Sequence, residues 1–211
     1  MALGLSTETT NSEDFIGYVQ YDARAGRFFR PDRTQNSAGE WETNKEEITN
    51  GFTAVMDLEN IKVGWILYNT AAAPSYHMVK LGEALPAKPS DKHKQGFLME
   101  LKLGKSSGSE HRTFSHTAKV VLAPIDELHT AYEAGKKDNP GKLPVVSLVK
   151  TTSITSGSGD KKSTNYSPVF QIDKWVDRPA ELGGKGGEAK EDPKPEPVKE
   201  TPKVDSGDEE F

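Results

Sequence analysis

The chain has 211 residues, with 27 Lys and Arg against 32 Asp and Glu, for a formal net charge of −5. No apolar run approaches the roughly 18–20 residues of a membrane-spanning helix, and Met1 to Asp14 lacks the basic start and apolar stretch of a signal peptide. With no Cys there is no disulfide frame, zinc finger or thiol nucleophile, and a reducing, cytoplasmic setting is expected.

The charge is uneven. Residues 181–211 hold five Lys against ten acids, whereas 1–180 hold 22 basic and 22 acidic residues, so the end of the chain supplies the whole imbalance. Three units are expected: a flexible N-terminus over 1–13, one domain over 14–180, and a disordered acidic tail over 181–211. The tail is rich in Gly, Pro and charge, and it holds too few apolar side chains to offset its ordering entropy. Its last residues, Asp208, Glu209, Glu210 and Phe211, combine acids with a terminal ring and carboxylate. Such an end suits a small apolar pocket rimmed by Arg or Lys and is the expected partner-binding segment.

Within the domain, Phe15 to Tyr21 is strand-like, and Gly26 marks a turn. Phe52, Ala54, Met56 and Leu58 alternate with Thr53, Val55 and Asp57, which predicts a strand. After a turn at Asn60, Ile61 to Tyr68 reads as its hairpin partner. Phe97, Met99, Leu101 and Leu103 define another half-buried strand, and Lys119 to Leu122 a short one. A helix follows, with Pro124 near its first turn and Ile125, Leu128 and Tyr132 on one face; it closes at Lys136 and Lys137 and is ended by Asn139-Pro140-Gly141. Strands over Pro144–Ser153 and Ser167–Val176 flank a polar loop from Ser156 to Thr164. The expected class is mainly β: an OB-like five-stranded barrel with one helix between its third and fourth strands and N-terminal strand extensions. Another small mixed β barrel or sandwich fits the same order.

No enzyme signature stands out. His77, His93, His111, His116 and His129 have no acids at a metal-ligand spacing and read as exposed surface residues, with His111 and His116 on no clear strand. No Walker sequence, Gly-x-Ser-x-Gly or His-Glu-x-x-His occurs. The Gly-rich run from Gly183 follows no strand and reads as linker. Neither a catalytic site nor a cofactor is expected.

Nucleic-acid signals are denser. Tyr18, Tyr21, Arg24, Arg27, Phe28, Phe29, Arg30 and Arg33 lie close together; arginines bind phosphates and exposed rings stack on unpaired bases. The alternative for this run is an Arg-decorated turn around Gly26, with one Phe in the core and one on the surface. Residues 80–119 hold eight Lys and Arg against four acids, among them Lys88, Lys92, Lys94, Lys102, Lys105 and Arg112, with His93 in the same stretch. The stretches 86–96 and 104–112 read as lysine-bearing loops. Trp65 aligns with Val63 and Leu67 and is expected in the core, while Tyr68 shares a mixed face with Lys62. Trp175 aligns with Gln171 and Asp173 and is a stacking candidate. Tyr166 borders the polar loop with Lys161 and Lys162, and Lys150 lies on the preceding strand.

An OB-like domain with Arg/aromatic clusters and an acidic tail ending in Phe resembles the single-stranded DNA-binding proteins, in particular their phage-encoded versions. The segments Tyr21-Asp-Ala-Arg-Ala-Gly-Arg-Phe-Phe29, Lys142-Leu-Pro-Val-Val146 and Asn165-Tyr-Ser-Pro-Val-Phe170 carry the likeness in the domain. Asp208-Glu-Glu-Phe211 carries it in the tail, without the Pro that precedes the terminal Phe in the bacterial proteins. The resemblance implies a replication and recombination accessory in a bacterial host cell. It would coat and protect single strands without sequence preference and recruit replication or recombination proteins through its tail. The rival reading is a non-enzymatic phage structural or interaction protein with a solubilising tail.

Overall fold

The computed structural model describes residues 16–69, 73–158 and 162–182. They form a mainly β structure with one α-helix. Strands β1 (Tyr18–Asp22) and β2 (Arg27–Gln35) make the hairpin expected around Gly26. Asp22 Oδ1 accepts the N–H groups of Arg24 and Ala25, and Gly26 takes φ +68°, which closes the turn. β2 turns again into β3 (Trp41–Glu47), a strand with no sequence signal. All seven of its residues are exposed, so no apolar period marks it.

The next strands depart from expectation. β4 (Thr53–Met56) and β5 (Lys62–Leu67) do not form a hairpin with each other. Both lie antiparallel along one edge of β7 (Lys94–Leu103), β4 beside Leu101–Leu103 and β5 beside Lys94–Leu98. Between them, the five residues 57–61 stand opposite only Met99 and Glu100. The Asn60 side chain and backbone N–H both bond the Asp57 carboxylate, so the expected turn exists. It is an excursion within one bent strand and not a reversal. Buried Asp57 also accepts from Arg178 at 2.6 Å, which fixes the excursion to the end of the last strand.

β6 (Ser75–Lys80) pairs with β5 alone. β8 (His111–His116) is antiparallel to β7 and parallel to β1, so His111 and His116 do lie on a strand. β9 (Lys142–Ser156) and β10 (Ser163–Asp177) form a long hairpin that runs into the expected polar loop. The strand order is β10-β9-β4-β7-β8-β1-β2-β3, with β5–β6 branching from β7, and the sheet is not closed among the described residues. Gly64 and Gly96 face each other across the β5–β7 pair. A Cβ on either would stand 2.1 Å or 2.4 Å from a carbonyl oxygen of His77 or His116, so only glycine fits at both positions.

Lys119 to Leu122, expected as a strand, instead opens helix α1 (Lys119–Lys136). Pro124 sits inside this helix and cannot donate to the carbonyl of Val120. The hydroxyl of Ser167 on β10 donates to that carbonyl at 2.8 Å, so tertiary contact supplies the bond that the proline removes. The helix ends at Lys136, as its sequence signals indicate. Val121, Ile125, Leu128 and Tyr132 turn into the core and meet Phe28, Phe52, Met99, Leu101 and Phe114 from the sheet. Burial of each such side chain contributes about 1.5–3 kcal/mol.

Candidate nucleic-acid interface

Strand register assigns the side chains to two faces. Val19, Tyr21, Phe28, Phe97, Met99, Leu101 and Phe114 are buried and face the core. Their neighbours in sequence project to the opposite, open face, because successive strand residues alternate. On this face Lys62 pairs across to both Lys80 and Leu98, and Leu98 pairs to Ser115. Ile66, itself buried over Gly96, pairs to Tyr76 and Lys94. Tyr18 lies beside Thr113, and Phe29 beside Gln20. Tyr68, just beyond β5, and Tyr76 both reach the hydroxyl of Ser115, at 2.9 and 3.3 Å.

The result is an open face with tyrosine rings among lysines. Tyr18, Tyr68 and Tyr76 are 46%, 47% and 37% exposed. Fixed by their hydroxyl contacts, Tyr68 and Tyr76 keep their orientation while presenting ring surface, which lowers the entropy cost of stacking. Partial burial pushes the Tyr68 phenol up to about 12, opposed by the hydrogen bond with Ser115 and assisted by Tyr76. The ring is therefore neutral at physiological pH. Lys94 is exposed, as are Lys92 in the preceding loop and Lys105 in the short 3₁₀ turn Lys105–Ser107. Lys102 bonds Glu181 at 2.5 Å and, with Lys105, lines a groove of about 510 Å³ beside β4.

Several residues expected to contact DNA are committed elsewhere. Tyr21 is buried and donates its hydroxyl to the carbonyl of Tyr166 at 2.9 Å, and burial, with Asp22 nearby, pushes its phenol well above the ordinary range. Phe28 is fully buried against Phe52, with ring centroids 4.4 Å apart. Trp175 stacks on Tyr132 at 5.5 Å and covers Gly135, where a Cβ would stand 2.6 Å from the indole. Tyr21 and Phe28 have no open face for a base, and the half-buried Trp175 has one face taken up by Tyr132. Trp175 was expected exposed because its own strand is polar around it, but that face of the strand meets the helix. Tyr166 packs over Gly26 and donates its N–H to Ala23, so it clamps the β1–β2 turn.

Arg30 and Arg112 are likewise engaged. Arg30 bonds Asp32, Glu46 and the carbonyl of Ser107, and Arg112 bonds Asp32, Glu110 and the carbonyl of Pro31. Both side chains are mostly buried in this ionic cluster at the root of the β2–β3 hairpin. Arg27 pairs with Glu47 at 2.9 Å but stays exposed, and Arg24 is exposed on the turn. Phe29 is half-buried on the open face. Lys150 and Lys162 are exposed on the distal β9–β10 hairpin. Lys161 and Asp208, Glu209, Glu210 and Phe211 lie outside the described residues.

Trp65 was expected in the core. It is only half-buried, with its Nε1 donating to the carbonyl of Pro86 at 2.8 Å and Lys88 above its ring. The buried residues of β5 are Gly64 and Ile66, and the lack of a side chain at Gly96 lets Ile66 pack over it. The expectation of five surface histidines holds for His77 alone. His93 is buried with Nδ1 2.8 Å from Ser90 Oγ, and His111 Nε2 lies 2.9 Å from Glu100. His116 Nδ1 accepts from Ala118, so its Nε2 carries the proton and donates to the carbonyl of Tyr21. Burial lowers the pKa of His116, against the opposing hydrogen bond to Tyr21 and the charge of Asp22.

Sequence reasoning left Tyr76 and Lys80 unassigned and did not separate Tyr18 from the buried Tyr21. The segment Ser75–Lys80 alternates weakly, and its role follows only from pairing with β5. Among the described residues no helix is long and apolar enough to cross a membrane, and no group of three His, Asp or Glu could hold a metal ion. No protein-family model matches the sequence, and neither a curated protein nor a solved structure matches the chain.

Proposed function

We propose that the protein binds single-stranded DNA without sequence preference and coats it during phage replication or recombination. The observation that carries this reading is the pair Tyr68 and Tyr76, held by Ser115 on an open sheet face beside Lys62, Lys80 and Lys94. Exposed rings accept any base because every base has a π-face, and lysines take up phosphates with release of counterions. Exposed rings spaced along one sheet face, Tyr18, Tyr68 and Tyr76, suit a flexible single strand.

The connectivity supports an OB-like reading of the body. With β4–β5 taken as one interrupted strand and β6 set aside as a side strand paired to β5 alone, the order is β4–β5, β7, β8, α1, β9, β10: five strands with a helix between the third and fourth. The first of these pairs with both the second and the fourth, as a sheet curling towards a barrel requires. β1 runs parallel to β8, and its Tyr21 hydroxyl donates to the carbonyl of Tyr166 on β10 at 2.9 Å. The acidic end, Asp208 to Phe211, is the part proposed to recruit replication or recombination proteins.

The test is a titration of the full chain with a labelled oligo-dT of about 30 nucleotides, long enough for an OB-type site of roughly 4–16 nucleotides, and with a duplex of equal length. Tighter binding to the single strand, weakening steeply with salt, is expected. Y68A and Y76A should each weaken it by about 5- to 150-fold, the equivalent of roughly 1–3 kcal/mol per stacked base. Absence of binding at low salt, even with residues 181–211 removed, would overturn the proposal in favour of a structural or interaction protein.

A further inference from the structure

Beyond the Arg30–Glu46 pair, β2 and β3 leave the body as a two-stranded arm whose register runs from Pro31↔Lys45 to Gln35↔Trp41. Its root is pinned by the Arg30 and Arg112 ionic cluster. Its tip is held by Asn36, whose Oδ1 accepts the N–H groups of Ala38 and Glu40, and by Gln35, which donates to the carbonyl of Gly39 at 2.7 Å. Near this tip stands Trp41, 58% exposed and the most exposed large hydrophobic side chain among the described residues. The Arg33 guanidinium lies 4.8 Å from the centre of its indole.

Register places Arg33, Trp41 and Lys45 on the same face of the arm as Phe29, which continues the open face of the body. A solvated Trp ring on a well-bonded arm contributes little to folding. The geometry points to a second base-stacking element: one side of the Trp41 indole is occupied by Arg33, and the other is offered to an unpaired base of the strand bound on the body. Arg33 and Lys45 supply the positive charge that a passing phosphate needs, which favours nucleic acid over an apolar peptide. This inference rests on the proposed single-strand binding and extends the site from the body to the arm.

Tryptophan fluorescence of the full chain separates the two readings when it is titrated with oligo-dT of about 30 and about 8 nucleotides, the longer able to reach body and arm together. W41A should lose about tenfold in affinity for the longer oligomer, within the range for one stacked base, and bind the shorter one nearly as the parent does. W41F keeps a stacking ring, so it should retain most of the affinity while losing the share of quenching that Trp41 supplies. If the parent binds and W41A matches it on the long oligomer, or W41F is quenched as fully as the parent, the arm inference is overturned and the body site stands. Equal weakening on both lengths overturns it too, as does a loss of self-association with DNA affinity intact. If the parent binds neither oligomer, the functional proposal fails and takes the arm with it.

Discussion

Phe28 distinguishes the two faces of β2, and Phe28→Ala is the most informative single substitution. The ring is fully buried, with centroid distances of 4.6 Å to Tyr21, 4.4 Å to Phe52 and 5.7 Å to Phe114. These neighbours belong to β1, β8 and the entry to β4, so the sheet framework limits how far they can collapse into the space left. The expected loss is about 3–5 kcal/mol, the usual cost of deleting a buried Phe side chain. For a domain of this size each kcal/mol lowers Tm by about 2–4 °C, so a fall of about 6–20 °C should follow. The assay is urea and thermal unfolding by circular dichroism, with single-strand affinity measured well below the new Tm. Folded F28A should bind oligo-dT within about threefold of the parent, since burial leaves this ring no base to stack on. A variant that loses less than about 1 kcal/mol but no longer binds would refute the reasoning. A slip of one residue exchanges the faces of a strand, and such a result would put β2 in the other register.

Three further outcomes follow from local geometry. Ser167→Ala should cost about 1–3 kcal/mol by stranding the Val120 carbonyl, and adding Pro124→Ala should recover much of that by restoring an N–H donor within the helix, as a double-mutant cycle in urea would reveal. Gly96→Ala should destabilise by more than about 1–3 kcal/mol, the usual overpacking cost, because its Cβ meets the His116 carbonyl oxygen at 2.4 Å and backbone cannot swing aside; a Tm equal to the parent's would contradict this close approach. His116 has a folded-state pKa below its ordinary 6.5, so the unfolded chain binds the extra proton between the two values. Its contribution to stability is therefore complete above about 6.5 and is lost as pH falls towards the folded pKa, so the urea midpoint should rise from about pH 5 to pH 7 and then level, and more shallowly in His116→Gln.

The parts of the fold that were legible share one property: a single face buried along a regular element. Phe97, Met99, Leu101 and Leu103 are all buried, as their alternation predicts, and the face carrying Ile125, Leu128 and Tyr132 is the one α1 turns into the core. The β2–β3 arm was invisible because both of its faces meet water. The opening of α1 was misread because Val120, Val121 and Leu122 favour strands and Pro124 argues against a helix around it; Ser167, 43 residues beyond Pro124, removes that objection. The supposed β4–β5 hairpin failed because a local turn at Asp57–Asn60 does not say whether the chain reverses. Competition for the edge of β7 decides that.

Composition and spacing alone determined a cysteine-free chain with its charge imbalance at one end, a mainly β domain with a single helix, and a concentration of aromatic and basic residues without catalytic signatures. They could not say which aromatics are free, because exposure is a property of what packs against a ring and not of its neighbours in sequence. Tyr21 and Tyr18 lie three residues apart in one run, yet the first bonds Tyr166 from inside and the second faces solvent. Strand pairing across long separations settled that division. It moved the candidate interface from Arg30 and Arg112, which are taken up by Asp32, Glu46 and Glu110, to the open face carrying Tyr68, Tyr76 and the lysines around them.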